Sequence, residues 1–103
     1  IDQLCLVGMN LTQPVMILTL TAEALDMPRQ TVERELLIML DAVNSDLEDH
    51  EKVAKLIITS DSWTIDNGFL TPTLKVKRNL IEANYAGLVE RESVNRRALL
   101  VWL

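Results

Sequence analysis

Cysteine and histidine are scarce in this 103-residue sequence, and long apolar runs are missing. It holds one cysteine, Cys5, and one histidine, His50. A single cysteine cannot form an internal disulfide, which favours a reducing, cytoplasmic setting. The longest apolar runs, such as that from Leu36 to Leu40, fall far short of the roughly 20 residues that span a bilayer. The start also lacks the basic, apolar and small-residue zones of a signal peptide.

Several common catalytic motifs are also missing. The sequence contains no P-loop, dinucleotide fingerprint, zinc-ligand spacing or nucleophile elbow. Cys5 lies in an apolar run without a nearby His or Asp, so we predict a buried core cysteine. His50 stands alone among carboxylates, which indicates a solvated acidic helix end and no metal site. Trp63 and Trp102 are predicted to be packing anchors.

The charge of the chain is distributed unevenly. The net charge is −5, but residues 1–74 carry −8 and residues 75–103 carry +3. An acidic domain with a pI near 4.7 is a poor candidate for nucleic-acid binding, which requires a basic face. The positive C-terminal part suits either a small polyphosphate or a solvated surface, and composition does not choose between them.

The periodicity predicts a single α+β domain over residues 1–103, with elements in the order β-β-α-β-β-α. This order corresponds to a small mixed sheet of about four strands covered by two main helices. The predicted elements are a hairpin of strands Leu4–Met9 and Pro14–Leu20, a helix from about Pro28 to Leu47, strands Lys55–Ser60 and Thr73–Lys77, and a helix from about Arg78 to Glu90.

Two details of this assignment bear on the core. The first long helix has an apolar stripe of Val32, Leu36, Leu40, Val43 and Leu47, and Leu37 and Ile38 are predicted to widen it. The apolar tail Ala98–Leu103 is either a docked segment or a loose end. The first residue, Ile1, runs straight into a predicted strand, so we expect the sequence to be an excised domain of a longer protein.

The stretch Asn67–Arg78 is the strongest candidate for a functional site. Asn67-Gly68 predicts a tight turn. In the strand that follows, alternation places Leu74 and Val76 towards the core and the lysines Lys75 and Lys77 on the outer face. A lysine on a rigid projection can neutralise charge that develops on a phosphate. Two outward lysines are also typical of an ordinary solvated surface, so the pattern alone indicates no more than an anion contact.

The same stretch resembles a known family. Asp61-Ser-Trp-Thr-Ile-Asp-Asn-Gly-Phe-Leu-Thr-Pro-Thr-Leu-Lys-Val-Lys-Arg78 is similar to the C-terminal region of long-chain acyl-CoA synthetases, in the adenylate-forming AMP-binding superfamily. That family carries an Asn-Gly-Leu-Leu-Thr-Pro-Thr-like segment, then Lys-x-Lys-Arg, then a helix with a tyrosine, here Tyr85. Leu6-Val-Gly-Met9, Gln13-Pro-Val15 and His50-Glu-Lys-Val-Ala-Lys55 also fit. The resemblance covers roughly residues 4 to 90.

The resemblance implies a reaction in two steps. Fatty acid and ATP give an acyl-adenylate and pyrophosphate, and the thiol of coenzyme A then displaces AMP. A small C-terminal domain rotates between the steps and brings a lysine to the adenylation site. Here that lysine is Lys75, with Lys77 as the alternative if the register slips by one strand repeat. Lys77 and Arg78 are weaker phosphate contacts, and Asn67 and Gly68 form the structural turn.

The resemblance also implies partners outside this sequence. The AMP-binding signature, the Mg²⁺ ligands and the acyl tunnel belong to a large N-terminal domain, and the family's hinge segment is not found here. ATP, CoA and Mg²⁺ are therefore expected in the complete enzyme and not on this segment alone. Peripheral membrane association is compatible with a fatty-acid enzyme, although no residue indicates it. Two alternatives stay open: a non-catalytic module whose basic hairpin and apolar tail bind a protein, and a different adenylate-forming acid–CoA ligase.

Overall fold

A computed structural model describes residues 3–8, 13–49, 51–94 and 99–103. These residues form four strands, two long helices and one short helix. In chain order the elements are β1 (Gln3–Val7), β2 (Val15–Thr19), α1 (Ala22–Leu25), α2 (Arg29–Asn44), β3 (Lys55–Ile58), α3 (Arg78–Val94) and β4 (Leu100–Trp102). The predicted α+β class, with a mixed sheet of four strands and two main helices, is confirmed.

The four strands form one sheet in the order β1-β2-β3-β4. β1 and β2 are antiparallel, as predicted for a hairpin, whereas β3 runs parallel to both β2 and β4. Every residue of β2 and of β3 is buried. Such near-continuous apolar strands are typical of parallel strands covered on both faces.

Alternation along the strands divides the interior into two cores, one on each face of the sheet. The first, which we call the α3-side core, consists of Cys5, Val7, Val15, Ile17, Ile57, Trp63, Leu70, Ile81, Tyr85 and Val89. The second, the α2-side core, consists of Met16, Leu18, Leu20, Val32, Leu36, Leu40, Val53, Leu56 and Ile58. The sheet therefore lies between α2 and α3.

The position of the fourth strand was predicted wrongly. Residues 73–77 form no strand of the sheet, and their segment contributes only an isolated bridge between Leu70 and Val76. The fourth strand is instead β4, from the apolar tail. It pairs along the free edge of β3, where Leu56 N donates to Leu99 O (2.9 Å) and Leu103 N donates to Ile58 O (2.8 Å). The tail residues form hydrogen bonds with the backbone groups of β3 at that edge, and their apolar side chains cover the core beside it.

The tail is therefore docked, at least over the described residues 99–103. The indole Nε1 of Trp102 donates to Glu33 Oε1 (2.7 Å). The guanidinium of Arg29 lies 4.5 Å from the centre of the Trp102 ring, within cation–π range. Both partners belong to α2, so these contacts attach the edge strand to the helix beside it. The predicted role of Trp102 as a packing anchor is confirmed.

Helix α2 buries a narrower stripe than the sequence predicted. Leu36 and the residues one turn before and after it, Val32 and Leu40, are buried. Val43 was predicted to continue this stripe and is instead 42% exposed. Leu37 and Ile38 were predicted to widen this stripe and do not, since they are 38% and 64% exposed. One sheet face can cover only one side of the helix, and Leu37 and Ile38 lie on the side turned away from it.

This difference in burial predicts a large loss of stability for one alanine substitution in α2 and almost none for another. Leu36→Ala removes buried methyl groups and leaves a cavity, so it should lower the free energy of unfolding by about 2–5 kcal/mol. Ile38→Ala removes an exposed side chain and should change the same quantity by less than about 0.5 kcal/mol. Urea unfolding followed by circular dichroism measures both. Similar losses for the two variants would mean that Ile38 is covered.

Candidate functional site

The candidate site is a β-hairpin in the connection between β3 and α3. We call residues 69–77 the lysine hairpin. Thr71 N donates to Lys75 O (2.8 Å) and Lys77 N donates to Phe69 O (2.8 Å), on either side of the bridge between Leu70 and Val76. Leu70 is buried in the α3-side core and Val76 packs against it. Because side chains alternate, Lys75 and Lys77 lie on the opposite face of the hairpin.

The tip of the hairpin is a tight turn with a left-handed residue. Leu74 N donates to Thr71 O (2.8 Å), which places Pro72 and Thr73 at the centre of a β-turn. Leu74 follows with φ +65°, the position of a bulge that glycine usually occupies. Leu74 was predicted to face the core and is instead 66% exposed. The bulge interrupts the regular alternation on which that prediction depended.

The backbone of Lys75 is held on both sides. Its carbonyl accepts from Thr71 N, and its own N–H donates to Thr71 Oγ1 (3.1 Å). The hydroxyls of Thr71 and Thr73 lie 3.1 Å apart and share a hydrogen bond. The polar groups at the tip therefore form hydrogen bonds with one another. The Lys75 side chain extends from a backbone that these bonds hold in place.

The three predicted cationic residues have different surroundings. Lys75 is exposed and Lys77 is half-buried. Among the described residues, no carboxylate oxygen lies within 4.0 Å of either ammonium group. Arg78, the first residue of α3, places Nε 3.6 Å from Glu82 Oε1 one turn later. Lys75 is thus the cation with both exposure and no ion pair to break before it can contact an anion.

Asn67 and Gly68 lie in the loop that leads into the hairpin. Asn67 Oδ1 accepts from Thr64 N (3.0 Å) and Phe69 N (3.2 Å), and Asn67 Nδ2 donates to Ser62 O (2.6 Å). Gly68 closes the turn by donating to Ile65 O (3.1 Å) and has φ +87°, a conformation that glycine adopts without strain. The hydrogen bonds of the Asn67 side chain therefore order this loop, which has no strand pairing of its own.

A polar network beneath the hairpin, buried except for the exposed Asp61, was not predicted from the sequence. We call Thr59, Asp61, Trp63 and Tyr85 the Tyr85 network. The Tyr85 hydroxyl donates to Asp61 Oδ2 (2.7 Å), accepts from Trp63 Nε1 (3.3 Å) and lies 3.4 Å from Thr59 Oγ1. The sequence signal was a tyrosine on the apolar face of α3, because a buried phenol needs a polar partner.

The surroundings of Tyr85 keep its phenol protonated. Burial raises the pKa of Tyr85 above its ordinary value, and the neighbouring Asp61 carboxylate raises it further. The hydrogen bonds with Thr59 and Trp63 act in the opposite direction without reversing the shift. The hydroxyl therefore stays a hydrogen-bond donor to Asp61 at physiological pH.

Two of the remaining candidates from the sequence, Cys5 and Trp63, lie in the α3-side core. Cys5 is buried as predicted, and burial raises the pKa of its thiol in spite of the opposing charge of Arg78. Trp63 is buried in the α3-side core, in agreement with its predicted packing role. His50 lies outside the described residues.

Within the described ranges of the chain, no three His, Cys, Asp or Glu side chains lie together in a way that could hold a metal ion. In the same ranges, no helix has the length and apolarity that crossing a membrane requires.

Two characterised proteins are similar to short stretches of the chain. A chloroplastic long-chain-fatty-acid–acyl-carrier-protein ligase from Arabidopsis thaliana is 44% identical over 34 residues, which make up 33% of this chain and 5% of that protein. The long-chain-fatty-acid–CoA ligase heimdall from Drosophila melanogaster is 36% identical over 45 residues, 44% of this chain and 7% of that protein. No family model and no solved structure matches the chain. The chain is thus similar in part to long-chain fatty-acid ligases.

The left-handed backbone at Leu74 predicts that glycine stabilises the hairpin. Leu74→Gly should relieve roughly 1–2 kcal/mol of strain and lose about 0.5–1 kcal/mol to the greater freedom of the unfolded chain. A net increase of about 0.5–1 kcal/mol in the free energy of unfolding is expected, measured by urea unfolding. Leu74→Ala is the control, since it removes the same exposed side chain but keeps a Cβ. Equal stability of the two variants would contradict the strain.

Proposed function

We propose that this chain is the C-terminal mobile subdomain of a long-chain fatty-acid–CoA ligase and supplies the lysine of its adenylation step. The observation that carries the proposal is Lys75, whose exposed ammonium group has no ion pair with any described residue. It extends from a hairpin whose backbone is hydrogen-bonded at the tip and packed at its base. The partial similarity to two long-chain fatty-acid ligases supports the same conclusion.

In the proposed reaction the fatty-acid carboxylate attacks the α-phosphate of ATP, and pyrophosphate leaves as the acyl-adenylate forms. As the carboxylate oxygen bonds to phosphorus, negative charge passes from the carboxylate onto the oxygens of the pentacovalent α-phosphate. Lys75 contacts both groups and stabilises that charge, so it accelerates the step by binding the transition state more strongly than the substrates. CoA thiol then displaces AMP in a second step that does not need this contact.

The described residues fit one part of such a site. Lys75 offers a mobile point charge of the kind that binds phosphate. Mg²⁺ requires carboxylate ligands, and the described part of this chain offers no carboxylate cluster for it. In this proposal the Mg²⁺ ligands and the acyl tunnel lie in the large N-terminal AMP-binding domain, and this chain contributes the cation that closes on the phosphate.

The names of the two similar proteins support the first half-reaction better than the second. Their names share the long-chain fatty acid and differ in the thiol that accepts it, acyl-carrier protein in one case and coenzyme A in the other. Activation of the acid is therefore better supported than the identity of the acceptor. The alternative of a protein-binding module loses one of its two surfaces, since the described part of the apolar tail is occupied as β4.

The proposal predicts a selective effect of Lys75→Ala in the complete enzyme. Acid-dependent ATP–pyrophosphate exchange should fall on the order of 10²–10³-fold, the range for loss of one electrostatic contact to a transition state. Thioester formation from supplied acyl-adenylate should be retained. Lys52→Ala is the matched control, because Lys52 pairs with Asp49 in another part of the surface.

A third variant tests the register of the assignment. Lys77→Ala should reduce pyrophosphate exchange much less than Lys75→Ala does, because Lys77 is half-buried. A larger loss for Lys77→Ala would transfer the role to that residue. Equal losses of both half-reactions in Lys75→Ala, or no loss in either, would refute the role of Lys75.

The isolated chain is predicted to be inactive. In the proposal the acyl tunnel and the Mg²⁺ ligands lie in the N-terminal domain, so the purified 103-residue polypeptide should form no acyl-CoA from fatty acid, ATP and CoA. Consumption of free CoA thiol measures this directly. Turnover by the purified chain, at a rate above that of a Lys75→Ala preparation, would show that no second domain is required.

A further inference from the structure

The Tyr85 network joins the two ends of the connection that contains the lysine hairpin. Asp61 and Trp63 precede the hairpin, whereas Tyr85 belongs to α3, which follows it. The Tyr85 hydroxyl bonds to both earlier residues, at 2.7 Å to Asp61 Oδ2 and 3.3 Å to Trp63 Nε1. One hydroxyl group therefore links the incoming and outgoing segments below the hairpin.

No loop separates the hairpin from α3, the helix that carries Tyr85. Leu80 N and Ile81 N both donate to Lys77 O (3.1 and 3.2 Å), so α3 begins directly at the last residue of the hairpin. Tyr85 lies roughly two helical turns further along. Its side chain is 5% exposed and Trp63 is 3% exposed, so water cannot replace the hydrogen bond between them.

The incoming segment is held with similar firmness. Asp61 N donates to Thr59 Oγ1 (3.0 Å) at the end of β3, and the carbonyl of Trp63 accepts from Gln3 Nε2 (3.2 Å) on β1. The network thus connects the sheet, the loop before the hairpin and the helix after it. Hydrogen bonds are directional, so they define the relative position of these three elements more narrowly than apolar contacts of the same area would.

We propose that Tyr85 is a positioning residue for Lys75: its hydroxyl, through Asp61 and Trp63, holds the base of the hairpin in the orientation that presents the Lys75 ammonium to the reacting phosphate. This inference rests on the proposed function. Tyr85 itself is buried in the α3-side core and does not touch substrate. Its effect on the reaction passes through the position of Lys75, where small displacements have large consequences for the rate.

Tyr85→Phe in the complete enzyme tests this role, since it removes only the hydroxyl. We expect kcat for ATP–pyrophosphate exchange to fall about tenfold, with KM for ATP little changed, because the lost alignment matters in the transition state. Thioester formation from supplied acyl-adenylate should change less than about twofold. Val89→Ala, one turn further along α3 in the same core, is the control for lost stability and should leave both half-reactions near their original rates.

Two variants at Asp61 provide a second measurement if Tyr85→Phe folds poorly. Asp61 is exposed, so its substitution should be tolerated. Asp61→Ala removes the acceptor of the Tyr85 hydroxyl and should lower kcat for the exchange reaction in the same direction. Asp61→Asn keeps an acceptor oxygen and should restore most of the rate.

A double variant separates positioning from general damage. If Tyr85 acts through Lys75, adding Tyr85→Phe to Lys75→Ala should cause no further loss of exchange activity. A full additional tenfold loss in that background, or a Tyr85→Phe loss no larger than that of Val89→Ala, would overturn the positioning role while the proposed function stands. If Lys75→Ala alone leaves adenylation intact, the proposed function fails, and the positioning role fails with it.

Discussion

The central strands β2 and β3 must be covered on both faces, and the placement of α2 and α3 on opposite sides of the sheet follows from that requirement. Their residues are all buried, so apolar side chains leave the sheet in both directions. Helix α2 covers one face, and α3 together with Leu70 and Val76 covers the other. The lysine hairpin is therefore part of the second layer, and burial of its inner face determines which of its residues meet solvent.

The hairpin combines a firm base with a strained tip. At the base, apolar packing and the Tyr85 network hold the chain on both sides. At the tip, Leu74 adopts a left-handed conformation that is unfavourable for an L-residue, and the hydrogen bonds of Thr71 hold the backbone of Lys75. Local strain of this kind persists only where surrounding contacts over-determine it, and it is often found at functional sites.

The proposal that this hairpin is a catalytic element joins a geometric observation with a partial sequence similarity. The geometry shows an exposed lysine on a hydrogen-bonded hairpin, with no ion pair to the part of the chain that the structure describes. Sequence comparison finds similarity over 34 and 45 residues with two long-chain fatty-acid ligases. The chain spans only a small fraction of either protein, so the chemistry of the complete reaction is a proposal that joins these observations.

The sequence by itself determined the elements whose signals are local and periodic. Alternating or continuous apolar runs predicted β1, β2 and β3, and spacings of three and four predicted α2 and α3. Lys75 was selected as a candidate because its motif is contiguous, and its role stays a prediction. Only the tertiary structure decided three other features: the fourth strand, the exposure of Ile38 and Leu74, and the Tyr85 network. Each depends on residues far apart in the chain: the tail needs the free edge of β3, α2 needs one sheet face to select its buried side, and the Tyr85 hydroxyl needs Asp61 and Trp63 brought beneath the hairpin. Sequence periodicity carries no information about such partners, because they are set by which surfaces meet when the layers pack.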